Sequence, residues 1–169
     1  MSAPNQLQAP RVITTTHTAD GTSIFASDEE VPQFFPFGPN ATGFSTFHSS
    51  EKVPASNTAP IPQLANTLPR CPPNGVMFGI SDFPPGHQAP MHRTLSLDYA
   101  IVMTGEIVLR LDGGEEKTVK AGEFIVQSGV NHEWINRGKE ICRFAYVLVG
   151  SDKITLENGK ELEETVFKK

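Results

Sequence analysis

The amino-acid sequence predicts an all-β protein, a small barrel or sandwich, and three observations carry this prediction. All fourteen prolines precede Met91. Because proline cannot donate to a sheet ladder, residues 91–169 are free to form continuous antiparallel sheet. Short segments rich in β-branched and aromatic residues recur at roughly 8–12-residue spacing with a glycine in the gaps, as in barrels and sandwiches. Few windows show the helical period, so we expect strands throughout.

The first 74 residues are expected to be attached to the barrel as three pieces. Residues 1–10 are polar and are predicted to be a mobile tail. Residues 11–27 place β-branched residues on both sides of Asp20-Gly21, which predicts a hairpin. The following arm, up to residue 74, has the composition of a linker, yet exposing its five phenylalanines would cost roughly several kcal/mol. We therefore expect this arm to be ordered and to pack on the barrel or on a second subunit through Phe34, Phe35, Phe37, Phe44 and Phe47.

The barrel itself is predicted over residues 75–169. Asp112-Gly113-Gly114 is a strong hairpin signal, and further hairpins are expected at Asn136–Lys139 and, last in the chain, at Asn158-Gly159. The C-terminal hairpin would pair Ile154–Leu156 with Leu162–Phe167. The other strands are expected at Val76–Phe83, Tyr99–Met103, Glu106–Leu111, Lys117–Val119, Phe124–Gln127, His132–Ile135 and Ile141–Val149.

Composition excludes several classes of partner. The net charge of −5 argues against nucleic acid, which requires clustered Lys and Arg. No apolar run approaches the roughly 20 residues that span a bilayer, and the N-terminus lacks the pattern of a secretion signal. The two cysteines, Cys71 and Cys142, are far apart and suit a reducing compartment. We therefore expect a cytoplasmic protein whose partner is a small molecule, not a nucleic acid or a membrane.

Two histidine-containing segments resemble the two motifs of the cupin family. That family's first motif is a glycine, five residues, His-x-His, three or four residues, Glu, six residues and Gly; Gly86, His92, Thr94, Asp98 and Gly105 match its spacing. The second motif is a glycine, Pro-x-Gly, two residues, His, three residues and Asn. It is matched, with one residue fewer after the first glycine and Gln127 in place of proline, by Gly122, Gly129, His132 and Asn136.

The resemblance covers about residues 75–150 and implies a cupin-type jelly-roll β-barrel. The chain is similar to small single-domain cupins with an H-R-T-x-S-x-D-Y signature. Some fungal members of that group resemble tailoring proteins of polyketide pathways.

The departures from the family motif affect the expected metal site. Thr94 stands where the second histidine is usual, and Asp98 replaces the glutamate. The resemblance implies that these residues point into the barrel, so His92, Asp98 and His132 form a candidate two-His, one-carboxylate set. Such a set suits Fe(II) and also admits Zn(II), Mn(II) or Ni(II). Threonine is a poor ligand and aspartate is shorter than glutamate, so a site without metal is the alternative.

The same residues also suit chemistry without a metal. A buried imidazole beside a carboxylate is a general acid/base pair, which makes His92, Asp98 and His132 candidate catalytic residues. Substrate-binding residues are then expected among hydroxyls that bond a carbonyl or phenol and an apolar aromatic wall, namely Thr94, Tyr99, Tyr146 and Trp134. His87, in a Pro/Gly loop, is expected to be solvated.

Three functions follow as hypotheses. The leading one is an enzyme that dehydrates, isomerises or cyclises an apolar, aromatic or polyketide-derived substrate. The second is a metal-dependent oxygenase or oxidoreductase that uses the same three residues as ligands. The third is a non-catalytic cupin that binds a ligand or assists pathway reductases, in which His92 and His132 are relics in the core.

A homodimer is expected on physical grounds. A half-open barrel has exposed strand edges, and the phenylalanine-rich arm needs a surface to cover. We expect the hairpin of residues 11–27 to be added to the sheet edge of a partner subunit.

Overall fold

The computed structural model describes residues 7–166, and within them every regular element is a β-strand. None of the described residues belongs to a helix that could cross a membrane. The strands are β1 (Arg11–His17), β2 (Ser23–Glu30), β3 (Gly43–Ser50), β4 (Val76–Phe83), β5 (His92–Arg93), β6 (Ser96–Thr104), β7 (Glu106–Leu111), β8 (Glu116–Lys120), β9 (Phe124–Ser128), β10 (Asn131–Ile135) and β11 (Cys142–Gly150).

Two antiparallel sheets face each other and enclose the core. The larger has the order β3-β4-β11-β6-β9 and the smaller the order β5-β10-β7-β8. Alternate residues of each strand point between the sheets, as strand geometry requires, and the buried cluster includes Phe83, Val102, Ile107, Trp134 and Phe144. The all-β, jelly-roll prediction is confirmed.

Most glycine turns in the barrel carry the chain from one sheet to the other. The turn at Asp112–Gly114 is a true hairpin, joining β7 to β8. Gly105 and Gly129, both at positive φ, instead connect β6 to β7 and β9 to β10 across the two sheets. Each of these crossings returns the chain to the opposite wall of the core.

The hairpin predicted at Asn136–Lys139 is wrong for the same reason, since β10 and β11 belong to different sheets. Asn136 is only 1% exposed. Its Nδ2 donates to the carbonyls of Phe83 and Glu140, both at 2.8 Å, and its Oδ1 accepts from the Gly138 N–H at 2.8 Å. The buried side chain of Asn136 therefore stabilises the connection from β10 to β11, which forms no strand pairing itself.

The N-terminal hairpin and the arm are present as predicted elements. β1 and β2 pair antiparallel with a bulge at Thr14/Thr15. The arm lies against its own barrel: Phe34 makes a bridge to Phe44, and Phe47 packs edge-on against Phe78 with ring centroids 5.2 Å apart.

The predicted C-terminal hairpin is wrong as a pair of strands. A turn does form at Asn158-Gly159, but the backbones of its two sides pair through the isolated bridge between Thr155 and Glu161, and Lys153 forms ion pairs with Glu161 and Glu163. Most of this segment is exposed, including Ile154 at 38% and Leu156 at 39%, so its side chains gain little burial from the pairing. Thr165 instead exchanges backbone and hydroxyl hydrogen bonds with Arg93 on β5. Phe167 and residues 1–6 of the predicted tail lie outside the described residues.

Candidate functional site

A cavity of about 240 Å³ lies between the two sheets. One side is aromatic and includes Phe83, Trp134, Phe144 and Tyr146. The other is polar and is formed by His92, Thr94, Asp98, Gln127 and His132. The volume lies just below the roughly 300–1,000 Å³ of pockets for drug-sized ligands, so the cavity suits a small molecule, on the scale of one aromatic ring with short substituents.

His92 and His132 are directly opposite each other on β5 and β10, with ring centroids 4.3 Å apart. Each ring uses Nδ1 to contact a backbone carbonyl: His92 contacts Pro90 at 2.8 Å and His132 contacts Val130 at 2.9 Å. A carbonyl oxygen only accepts, so both Nδ1 atoms carry the proton. In the neutral form both Nε2 atoms then hold a lone pair.

Burial keeps this pair neutral. Loss of solvation lowers the pKa of His132 to about 4, with the neighbouring His92 adding to the effect and the bond to Val130 opposing it. Loss of solvation also lowers the pKa of His92. At neutral pH the site therefore presents two neutral imidazoles in an apolar cavity, and each can accept a proton at Nε2.

Asp98 is the acidic member of the site and is 8% exposed. Ser96 donates to its Oδ1 at 2.5 Å, while Gln127 at 3.0 Å and Thr94 at 3.5 Å donate to its Oδ2. Burial raises the pKa of Asp98, and these three hydrogen bonds to the carboxylate oppose the rise. The carboxyl group is thus held in one orientation and titrates above its ordinary range.

Gln127 joins Asp98 to His132. Its Nε2 lies 3.0 Å from Asp98 Oδ2 and 3.2 Å from His132 Nε2. Both neighbours are acceptors, so the NH₂ end of the amide must face them. Its Oε1 is buried and has no donor among residues 7–166, which is a cost typical of a position kept for its polar function.

The donor set does not fit a two-His, one-carboxylate metal site as it stands. A transition metal would need Asp98 beside the two imidazoles, but the amide nitrogen of Gln127, which is a donor, lies between Asp98 and His132. Across the described part of the chain, no three His, Cys, Asp or Glu side chains are grouped to hold a metal. Metal binding at His92, Asp98 and His132 stays a prediction that only a binding measurement tests.

Three of the four predicted substrate-binding residues, Thr94, Trp134 and Tyr146, line the cavity. The prediction for Tyr99 is wrong, because it is 48% exposed on the outer face of the larger sheet. Tyr99 follows Asp98 directly on β6, and successive side chains on a strand point to opposite faces. Because the Asp98 side chain points into the cavity, the Tyr99 side chain must point away from it.

Tyr146 is the phenol inside the cavity. Burial raises the pKa of its hydroxyl, and the nearby Ser81 opposes the rise. A β-carbon on Gly79, its cross-strand neighbour, would lie 3.0 Å from this hydroxyl and 2.6 Å from the Ser45 carbonyl. Because Gly79 has no side chain, the hydroxyl of Tyr146 can occupy this space.

Sequence reasoning missed several lining residues. Gln127 carried a signal, since it is a polar residue at an inward position of β9. His87, expected to be solvated, lines the cavity beside Phe83, and burial lowers its pKa. The arm also contributes to the cavity wall through Phe37, which the sequence predicted to pack on the barrel or on a second subunit, and through Leu68, for which no sequence signal existed.

Comparisons with known proteins agree with this fold. A model of the cupin domain matches residues 79–150. The oryzines biosynthesis cluster protein J of Aspergillus oryzae is 32% identical over 161 residues, covering 90% of this chain and 88% of that protein. A cupin-domain-containing oxidoreductase of Aspergillus ruber, fogC, is 30% identical over 155 residues, covering 88% and 76%. Among solved structures, the cupin domain of Schizosaccharomyces pombe Cnp3 has a TM-score of 0.54 at 11% identity, covering 83% of this chain and 88% of that one.

Proposed function

The chain belongs to the cupin family, and we propose that it is a tailoring enzyme of secondary metabolism. It acts by acid/base chemistry on a small, apolar, aromatic or polyketide-derived molecule, which it dehydrates, isomerises or cyclises. The similarity to a protein of a fungal biosynthesis cluster supports the setting. The cavity supports the substrate class, because its wall is aromatic and its volume is small.

The observation that carries the proposal is the fixed, neutral state of His92. Its Nδ1–H is bound to the Pro90 carbonyl, so Nε2 is the basic atom, and the ring lines the apolar cavity. His132 Nε2 accepts a hydrogen bond from Gln127, which lowers its availability as a base. An imidazole held in one tautomer beside an enolisable substrate is a general base.

The proposed reaction moves one proton. His92 Nε2 takes a proton from the carbon next to a substrate carbonyl, and the C–H electron pair forms the enolate. For isomerisation, the imidazolium returns the proton to another carbon. For dehydration, it gives the proton to a hydroxyl on the β-carbon, which leaves as water while the carbon–carbon double bond forms. Neutral His92 is regenerated in both cases, because the proton that it takes is returned.

The other polar residues have positioning and binding roles in this proposal. His132 packs against His92, and the Gln127 amide fixes His132 relative to Asp98. Asp98, whose raised pKa favours its acid form more than usual, stabilises the imidazolium when ionised. Thr94 and Tyr146 are hydroxyls within the cavity wall and bind the substrate carbonyl or phenol.

An oxidoreductase is the second candidate, because a relative that covers most of this chain carries that name. The residues that it would use are again His92, Asp98 and His132. A non-catalytic cupin that binds a ligand or assists pathway reductases is the third candidate. Only the leading proposal predicts that the purified protein is active without an added metal or redox partner.

The test follows proton exchange on aromatic β-hydroxy ketones and β-diketones in D₂O. Chelator-treated protein is expected to speed α-deuteration, or loss of water, above the buffer rate, and His92→Gln is expected to remove at least about 100-fold of that increase, the usual size of a general-base effect. Tyr99→Phe, outside the cavity, is the matched control. Activity that appears only with an added metal or redox partner would support the oxidoreductase. Activity that His92→Gln leaves unchanged would overturn the assignment of the base.

A further inference from the structure

Hydroxyl groups gather where the cavity meets β3, β4 and β11. Thr42 precedes β3, Ser81 lies on β4 and Tyr146 lies on β11, and all three line the cavity. Their exposed fractions are 4%, 4% and 6%. In the sheet order β3-β4-β11-β6-β9 they lie toward the β3 edge, whereas Asp98 and Gln127 lie on β6 and β9. Thr42, Ser81 and Tyr146 are termed the hydroxyl end of the cavity.

Two of these hydroxyls are buried without a hydrogen-bond partner. Within the described residues, neither Thr42 Oγ1 nor the hydroxyl of Tyr146 makes a hydrogen bond. Ser81 is near enough to Tyr146 to oppose the rise in its pKa, yet the two hydroxyls do not complete a hydrogen bond. A buried hydroxyl without a partner destabilises a fold, so two in one place call for an explanation. A ligand oxygen that completes their hydrogen bonds provides one.

The lining of the cavity carries no fixed positive charge. Among residues 7–166, those that line it include no lysine and no arginine, and burial lowers the pKa of each of its three histidines. Asp98 adds an acidic group to the same lining. A carboxylate or phosphate on a ligand would lose its hydration here without gaining a cation as a partner. The cavity therefore favours an uncharged ligand.

The aromatic wall connects the imidazoles to the hydroxyl end. The ring centroids are 5.4 Å apart for His132 and Trp134, 5.0 Å for Trp134 and Phe144, and 6.1 Å for Phe144 and Tyr146. A ligand that reaches from the imidazoles to the hydroxyl end therefore passes along two aromatic side chains. An aromatic ring in the ligand packs favourably against such a wall.

We propose that the hydroxyl end binds a phenolic oxygen, and that the substrate is an uncharged hydroxyaryl ketone. This inference rests on the proposed function, because the ketone is the group that brings an enolisable C–H to His92. A phenol both donates and accepts, as do the hydroxyls of Thr42 and Tyr146, so one phenolic group can partner both. The ring of the substrate then lies along Trp134 and Phe144, and its ketone faces the imidazoles.

The test compares 4-hydroxyacetophenone with acetophenone, which lacks the phenolic hydroxyl, by isothermal titration calorimetry at neutral pH. The wild type is expected to bind the phenolic ketone at least about tenfold more tightly, the effect of roughly two hydrogen bonds. The double variant Thr42→Val, Tyr146→Phe is expected to lose this preference and to keep its affinity for acetophenone. Thr46→Val is the matched control, because its hydroxyl is also buried without a partner among the described residues but lies outside the cavity lining.

The double variant is expected to keep its fold, which circular dichroism verifies. Both changes remove hydroxyls that make no hydrogen bond within the described part of the ligand-free chain, so no partner is orphaned.

Other outcomes overturn the proposal. Equal affinity of the wild type for the two ketones removes the phenol from the hydroxyl end, and absence of binding of both at millimolar concentration removes the substrate class. A preference that the double variant keeps, or that Thr46→Val loses as well, removes Thr42 and Tyr146 as the partners. Equally tight binding of 4-hydroxybenzoate, which carries a carboxylate, removes the requirement for an uncharged ligand. Calorimetry needs no turnover, so a failure of the proton-exchange assay contradicts the proposed function and leaves this binding result standing.

Discussion

The imidazoles of His92 and His132 lie 4.3 Å apart, and both donate through Nδ1 to a carbonyl two residues earlier in the chain. The pairing of β5 with β10 sets their distance, and the two backbone carbonyls set their tautomers. The third contact of the pair is the amide of Gln127, whose Nε2 lies 3.2 Å from His132 Nε2. The surroundings of the two imidazoles therefore favour their neutral form.

The neutral state of His132 predicts how stability depends on pH. With its pKa lowered to about 4 in the folded protein, the unfolded chain binds a proton between about pH 6.5 and 4 that the native state does not. The free energy of unfolding is therefore expected to fall on acidification through this window, by up to about 3 kcal/mol from this group. His92 acts in the same direction, and the raised pKa of Asp98 acts in the opposite one.

Urea denaturation of metal-free protein at pH 7 and pH 4.5 measures this dependence. His132→Gln is expected to flatten it, whereas His17→Gln, on the exposed ribbon, is the control that leaves it unchanged. An equal slope in His132→Gln and the wild type would show that His132 is not the group responsible.

Gln127 is predicted to decide whether the site takes a metal. Gln127→Glu replaces the donor NH₂ with an acceptor and places a second carboxylate beside Asp98 and His132. Divalent metals favour carboxylate and imidazole ligands, so we expect Zn(II) or Ni(II) to bind the variant at least about tenfold more tightly than the wild type. Titration calorimetry measures this change, with Gln127→Met as the control that adds no ligand. Stoichiometric, tight binding by the wild type would instead restore the predicted three-residue site.

The two tyrosines of the site prediction are expected to behave differently. Tyr146→Phe removes a hydroxyl inside the cavity and should lower turnover of a bound aromatic substrate by roughly tenfold, the effect of about one hydrogen bond. Tyr99→Phe, on the outer face, should leave turnover unchanged. Steady-state rates of both variants in the same assay compare them. An effect of Tyr99→Phe on turnover would mean that a change on the outer surface of the larger sheet alters the chemistry in the cavity.

Asn136→Ala is predicted to destabilise the barrel strongly. The change removes three hydrogen bonds and leaves the carbonyls of Phe83 and Glu140 without their donor. A loss of about 2–4 kcal/mol is expected, given about 1 kcal/mol for each hydrogen bond and the added cost of orphaned groups. Chemical denaturation provides the measurement, and Asn131→Ala, at the less buried start of β10, is a suitable comparison. Equal losses in the two variants would assign no special role to the crossover.

The sequence was informative wherever a local rule controls the structure. Strand alternation and the motif spacing placed His92 and His132 on facing positions of one cavity. The Asp112–Gly114 turn formed a hairpin because its glycines fit that geometry. Pairing between distant strands is not a local property, and for that reason Asn136–Lys139 was misread as a hairpin.

The site was harder to predict than the fold. Asp98 and Tyr99 are neighbours on β6 and point to opposite faces, and the structure shows that Asp98 is the one that points into the cavity. The phenylalanines of the arm predicted that it packs on a surface, but whether Phe37 and Leu68 reach the cavity depends on how the arm folds back over the barrel. Gln127 was visible as a departure from the family motif, yet its role depends on the distances to two side chains on other strands.

The position of β11 has a consequence for biosynthesis. β11, the last strand of the barrel in the chain, lies between β4 and β6 at the centre of the larger sheet. Those two strands precede β11 in the chain and have no direct pairing with each other, so the larger sheet is completed only after residues 142–150 have left the exit tunnel. Until then, the edges of β4 and β6 that β11 pairs with stay exposed on the nascent chain, and chaperones protect such edges from aggregation.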